Sequence, residues 1–183
     1  MLNDQFNIII ICGAKGTGKT TFAIELLSKS KRKTAIIDML DHQSYRHIPI
    51  MPTTHLAAWK TGIYRLISSE PLSLLEEINN KVWDANLILE DAHRYLSQNM
   101  SKNEIRLFYE SKQHGFDIVV MYHAVSQIPP DLYRISDKLV LFKTKDTFKS
   151  STYNKFYNKT EIENAHAKVM RSKSPHAKTV INL

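Results

Sequence analysis

The segment Ile8-Ile9-Ile10-Ile11-Cys12-Gly13-Ala14-Lys15-Gly16-Thr17-Gly18-Lys19-Thr20 restricts what this chain can fold into more than any other. Its first part, within residues 7–12, is short and apolar, as in a strand buried on both faces of a parallel sheet. Its second part fits G-x-x-x-x-G-K-[ST] and lies between that strand and a helix predicted over about residues 19–28. Such a loop is built for phosphate. Glycines let backbone N–H groups turn inward without a Cβ clash. The helix N-terminus adds unsatisfied donors and the positive end of its dipole. Lys19 brings a charge to the β- and γ-phosphates, and the Thr20 hydroxyl ligates Mg2+. Gly13, Ala14, Lys15, Gly16, Thr17, Gly18, Lys19, Thr20 and the next residue, Thr21, are the candidate binding residues for ATP with Mg2+. A glycine-rich turn without a ligand would leave Lys19-Thr20 unexplained. Lys15 reads as a surface lysine near the phosphates, because the position after the first glycine, where a variant family carries a second lysine, is Ala14.

The alternation continues along the chain. Strands are predicted at residues 34–38, 63–67, 86–90, 117–122 and 138–143, and helices at 71–82 and 102–112. Over 71–82, Leu72, Leu75, Ile78 and Val82 recur at helical spacing. This is the pattern of an α/β fold with a mostly parallel sheet and helices on both faces. Residues 41–60 carry no clear periodicity, and Pro49 and Pro52 interrupt any long element. The single cysteine, Cys12, excludes an intrachain disulfide framework and a four-thiolate zinc site. The eight histidines show no metal-ligand spacing and read as surface or packing residues. No stretch reaches the roughly 18 apolar residues of a membrane span, and the apolar N-terminus lacks the basic flank of a signal peptide.

Two strand ends carry further chemistry. Leu87-Ile88-Leu89-Glu90-Asp91 is an apolar strand closed by two acids. Such a strand delivers one carboxylate to the Mg2+ shell, while the neighbouring one polarises the attacking water. Glu90 is assigned to the metal and Asp91 to the base, with the exchanged assignment open. The plain alternative is an acidic pair that ends a strand and caps the next helix. The strand at 117–122 runs on into His123-Ala124-Val125-Ser126-Gln127, and Gln127 is the candidate sensor of the γ-phosphate, against the alternative of an ordinary loop glutamine. Arg134 is the candidate to neutralise transition-state charge in a neighbouring subunit, with Arg94 and Arg106 as alternatives.

Charge divides the chain. Of 183 residues, 25 are Lys or Arg and 18 are Asp or Glu, a net charge of +7. Residues 143–183 hold nine of the basic residues and three of the acidic ones. The division expected is a near-neutral core, 1–143, and a basic extension, 144–183. In the extension, Thr160 and Glu163 have capping-box spacing, Ile162, Ala165 and Val169 share a helical face, and residues 179–181 form a last strand. Lysines interleave with aromatics from Phe142 to Lys159, which makes Lys145, Lys149, Lys155 and Lys159 candidate nucleic-acid contacts. The alternative is aromatic packing with solvated lysines.

On Gly13–Thr20, on Leu87-Ile88-Leu89-Glu90-Asp91-Ala92-His93, and on the stretch 117–143 with Gln127-Ile128-Pro129-Pro130 and Arg134, the chain resembles the FtsK–HerA superfamily of P-loop ATPases. It looks most like the short genome-packaging ATPases of tailless, membrane-containing icosahedral viruses, with the zonula-occludens-toxin-like assembly ATPases of filamentous phages a near second. The resemblance implies a three-layer, RecA-like core with the Gln127 strand between the phosphate-loop strand and the Glu90 strand. It implies a homo-oligomeric, commonly hexameric ring that threads double-stranded DNA, with a capsid or portal-vertex protein as further partner. It places the chain in the host cytoplasm or with the virion. Two features depart from the pattern. The order Glu90-Asp91 inverts the usual one, and no apolar span follows the core, which favours the packaging group.

Two other classes remain open on sequence grounds. A small-molecule kinase would carry an arginine-rich lid late in the chain, yet Arg134 is the sole arginine between Lys112 and Met170. A non-hydrolysing nucleotide-switched module would bind ATP and release no phosphate. Lys19→Ala is expected to abolish nucleotide hydrolysis and leave the circular-dichroism spectrum unchanged; undiminished turnover would dismiss the phosphate-loop assignment.

Overall fold

The computed structural model describes residues 7–28, 30–146 and 150–183. Its centre is β1 (Ile8–Cys12), buried along its whole length. Ile8, Ile10 and Cys12 face one core and Ile9 and Ile11 face the other, so two-sided burial accounts for the unbroken apolar run. Parallel neighbours flank it: β5 (Phe116–Tyr122) on one side and β6 (Lys138–Phe142) on the other. Beyond β5 come β4 (Ala85–Leu89), β2 (Lys33–Ile37) and β3 (Ile63–Leu66), all parallel. β7 (Lys178–Asn182) closes the other edge, antiparallel to β6. The order of the seven strands is β3-β2-β4-β5-β1-β6-β7, which places β5 between β1 and β4 as the resemblance implies.

Helices cover both faces, giving the three layers of a P-loop NTPase. α1 (Lys19–Ser28) packs Ala23 and Leu27 on the face that carries Ile9 and Ile11, beside Tyr45 and Ile48. The opposite face takes α2 (Pro71–Lys81), α3 (Lys102–His114), α4 (Pro130–Ile135), α5 (Ser150–Tyr153) and α6 (Lys159–Arg171). They contribute Leu74, Leu75, Ile78, Leu107, Phe108, Leu132, Tyr133, Tyr153, Ile162 and Ala165 to one continuous core. The phase of α2 differs from the sequence reading. Leu72 is exposed and Leu74 takes its place in the core, while Val82 is buried from the extended residue that ends the helix.

The capping box also lies elsewhere than predicted. It forms at α3, where Ser101 accepts from the Glu104 N–H and Glu104 accepts from the Ser101 N–H at 2.7 Å. Thr160 instead sits inside the first turn of α6, which starts at Lys159 behind Asn158. Asn158 is tied outward, accepting from the Tyr133 hydroxyl and donating to Glu161 at 3.1 Å.

Residues 41–60, opaque in sequence, are held by one buried guanidinium. Arg65 on β3 donates to the Ile48 carbonyl at 3.0 Å and to Asp41 at 2.5 Å, and lies 3.5 Å from Asp38. Its side chain is 6% exposed and that of Asp38 is 1% exposed, so each depends on the other for compensation of its charge. The outer edge of β3 is taken up as well: Arg65 N–H donates to the Pro49 carbonyl at 2.8 Å and Met51 N–H to the Arg65 carbonyl at 2.9 Å. An unpaired sheet edge is thereby covered. Arg65→Ala is expected to cost roughly 3–5 kcal/mol in urea unfolding, because it strands Asp38 without its partner. A loss under about 1 kcal/mol would show that Arg65 does not hold this segment.

Candidate nucleotide site

The phosphate loop joins the C-terminal end of β1 to α1, and its shape depends on missing side chains. A Cβ on Gly13 would meet Phe142 Cβ at 2.5 Å and Thr17 Oγ1 at 2.9 Å, so this position admits only glycine. Gly18 has φ +95°, which L side chains rarely adopt. The loop is anchored to both neighbouring strands: Gly13 N–H donates to the Tyr122 carbonyl at 3.0 Å and Ala14 N–H to the Lys143 carbonyl at 2.7 Å. Thr17 is buried and its hydroxyl donates to the Ala14 carbonyl at 2.8 Å. Lys15, Gly16 and Thr21 are exposed.

Lys19 is buried, and its ammonium donates to the Ala14 carbonyl at 3.2 Å. Burial pulls its pKa below the ordinary lysine value, with Glu90 and Asp91 opposing that shift. The same ammonium lies 3.3 Å from His123 Nδ1, and His123 Nε2 lies 2.7 Å from Asp91 Oδ1. An ammonium can only donate, so Nδ1 accepts and Nε2–H is turned to the carboxylate. His123 therefore links the lysine of the loop to the acid at the end of β4. The sequence reading passed over this residue as one histidine among eight. Its one available signal was its place as the first polar residue after β5.

The two acids part company in space. Asp91 adopts a left-handed backbone conformation, φ +48°, at the turn after β4. A non-glycine residue there is strained, a cost that accumulates at working sites. Its side chain caps no helix, contrary to the plain alternative, and is spent on His123, with Arg94 Nε 3.9 Å away. Burial works to raise the Asp91 pKa, but the hydrogen bond it accepts from His123, with Arg94 nearby, outweighs it and holds the carboxyl below its usual range. Glu90 turns the other way and is 5% exposed. Burial raises its pKa, against the hydrogen bond it accepts from the Tyr45 hydroxyl at 2.5 Å. Tyr45 is fully buried, and the Thr20 side chain lies near enough to act on the same hydroxyl. One phenol oxygen thus bonds Glu90 and lies near Thr20. These hard oxygen groups could hold Mg2+, with Thr20 as direct ligand and Glu90 in its shell.

Among the other predicted residues, Gln127 does not reach Lys19 or Asp91. Its Oε1 accepts the backbone N–H groups of His123 and Ala124, each at 3.1 Å, so it braces the loop that carries His123. Arg134 is exposed and pairs with Asp131 at 2.8 Å on α4. That helix leads back to β6, whose entry residue Asp137 accepts from Ile8 N–H, at the end of the sheet remote from the loop. Arg106 is likewise remote from the loop, paired with Glu110 on α3.

These features meet a family with the same loop. The family model for zonular occludens toxin (Zot) matches residues 7–182. The chain belongs to the Zot family of P-loop ATPases. In fold, this Zot-family chain is similar to the genome packaging NTPase B204 of Sulfolobus turreted icosahedral virus 2. In its complex with ATP-gammaS the TM-score is 0.74 at 17% identity, over 97% of this chain and 92% of that one. With AMP the TM-score is 0.76 at 17% identity, over 99% and 94%. The N-terminal domain of zonular occludens toxin from Neisseria meningitidis gives 0.50 at 14% identity, over 77% and 78%. No curated protein matches the chain in sequence. Among the described residues, no helix is long and apolar enough to cross a membrane.

The predicted nucleic-acid lysines differ from expectation. Lys149 lies outside the described residues. Lys145 is exposed, and Lys159 donates to Asn154 at 2.9 Å. Lys155 is turned inward and donates to the carbonyls of Ser126 at 2.8 Å and Ile128 at 2.5 Å. Asp146 takes the other side of the same loop, accepting from Val125 N–H at 2.7 Å and the Ser126 hydroxyl at 2.9 Å. Of the neighbouring aromatics, Tyr153 and Phe156 are core residues, while Tyr157 is exposed. Lys155 is thus a clasp on the His123 loop, its ammonium held by two carbonyls.

Burial lowers the Lys155 pKa from 10.5 to about 8, with Asp146 opposing. Between those values the unfolded chain holds a proton that the folded one has lost, so stability rises with pH through that window. Lys155→Met is expected to flatten the rise in urea midpoint between about pH 8 and pH 10. An identical slope in both proteins would remove Lys155 as its source.

Proposed function

We propose that this chain is an ATP-hydrolysing DNA translocase subunit of the genome-packaging kind. The observation that carries the reading is the chain Lys19–His123–Asp91, set beside the Tyr45–Glu90 pair near Thr20. One arm ends on a carboxylate kept ionised, as a general base requires. The other offers two hard oxygens for Mg2+, which when bound neutralises phosphate charge. Family membership and the fold shared with a viral packaging NTPase support hydrolysis over kinase chemistry.

In this mechanism the triphosphate lies on residues 13–20. Lys19 exchanges the Ala14 carbonyl for phosphate oxygens. Asp91 accepts the proton of the attacking water, with His123 fixing its orientation through Nε2–H. His123 touches both the phosphate-binding lysine and the base, so it takes the sensor role first assigned to Gln127, and Gln127 holds its loop in shape. Arg134 acts on the nucleotide of a neighbouring subunit in a ring, hexameric in this reading. The DNA-facing surface then draws on the exposed Lys145, Lys168, Arg171 and Lys173. The subunit works on double-stranded DNA in the host cytoplasm or at a virion vertex, with a capsid or portal protein as its counterpart.

Phosphate release from ATP is expected to rise on adding double-stranded DNA and to lose that stimulation as salt increases, since phosphate contacts release counterions. Asp91→Asn is expected to lower phosphate release by about 100-fold or more while ATP still binds. Binding of ATP without any phosphate release, with or without DNA, would favour the nucleotide-switched module instead.

A further inference from the structure

The strand order gives the nucleotide a direction. Glu90, Asp91 and His123 stand at the ends of β4 and β5, on one side of β1. They mark where the terminal phosphate lies. The remainder of a nucleotide seated on the loop must run toward the other side of β1, where β6 and β7 lie.

On that side the turn between α6 and β7 is drawn against the phosphate loop. Lys143, whose carbonyl accepts from Ala14 N–H at 2.7 Å, donates from its ammonium to the Ser172 carbonyl at 2.5 Å. The Lys178 ammonium sits 5.0 Å from the ring centre of Phe22 on α1 and 5.9 Å from that of Phe142. Between these two fastenings, His176 Nδ1 lies 3.2 Å from the Thr17 carbonyl. A carbonyl can only accept, so Nδ1 carries the proton and Nε2 is left as an acceptor. The ring stands beside the loop backbone, where a Cβ added to Gly18 would come within 3.3 Å of Nδ1. His176 is nonetheless exposed. An aromatic ring is therefore held in a fixed tautomer, open to solvent, where the nucleoside would leave the loop.

We infer that His176 is the nucleoside contact of this site, its ring packing on the base or sugar of a bound nucleoside triphosphate. The inference rests on the nucleotide reading above and adds to it a role for the C-terminal segment. The segment that clasps the His123 loop through Asp146 and Lys155 also meets the far end of the nucleotide through His176. It thus touches the site on both sides of β1.

Equilibrium binding of ATP and of inorganic tripolyphosphate, each with Mg2+, to the full chain and to two variants tests this. His176→Ala is expected to weaken ATP about tenfold, the scale of one lost base–ring contact, and to leave tripolyphosphate unchanged. His176→Phe keeps a ring and is expected to hold ATP within about threefold of the unaltered chain. Unchanged ATP affinity in His176→Ala would overturn the inference. So would equal weakening of ATP and tripolyphosphate, since the ring would then only brace the loop. Failure of the unaltered chain to bind either ligand would instead overturn the nucleotide reading itself, and this contact with it.

Discussion

The parallel pairing of β1 with β5, and of β5 with β4, is the constraint on which the site depends. In a parallel ladder all strands point one way, so their C-terminal ends share one rim. The register Cys12↔Tyr122 sets the start of the phosphate loop beside the residue before His123. The register Leu89↔Val120 brings Glu90 and Asp91 to the same rim. Three sequence segments separated by dozens of residues thereby supply lysine, histidine and carboxylate to one spot. No local interaction among them would hold that arrangement without the sheet.

A second structure supports the first from outside. Arg65, buried on the edge strand, gathers Asp38, Asp41 and the Ile48 carbonyl, and so fixes the segment that carries Tyr45. Tyr45 in turn bonds Glu90 and lies near Thr20. On the opposite flank, Asp146, Lys155, Lys143 and His176 fasten the C-terminal segment to the loops of the site. The basic charge that set this segment apart in sequence is thus used in part internally. Lys143 and Lys155 are each hydrogen-bonded within the fold and exposed Lys178 lies over the Phe22 ring, while Lys145, Lys168, Arg171 and Lys173 are exposed.

The strands and the long helices were legible because two-sided burial and helical periodicity leave strong local patterns. The phosphate loop was legible because its glycines and its Lys19-Thr20 pair are dictated by contact with phosphate. The placement of Gln127 was not legible because a polar residue after a strand has no direction in sequence; only the turn at 123–127 shows its carbonyl oxygen bent back to its own backbone. The inward turn of Lys155 was hidden for a similar reason, since charge does not say whether an ammonium meets water or two carbonyls. Residues 41–60 were unreadable because a buried guanidinium and short turns hold them, and neither leaves a periodic trace.

By itself the sequence determined the chemistry of the loop, the presence of two carboxylates at a strand end, and the α/β alternation. These follow from covalent spacing and from burial patterns a few residues long. Tertiary structure alone decided that His123 joins Lys19 to Asp91, that Tyr45 bonds Glu90 and lies near Thr20, and that the C-terminal turn reaches the phosphate loop at His176. Each of these contacts spans from about 25 to more than 150 residues of chain. At such separations only the packed sheet sets which groups meet.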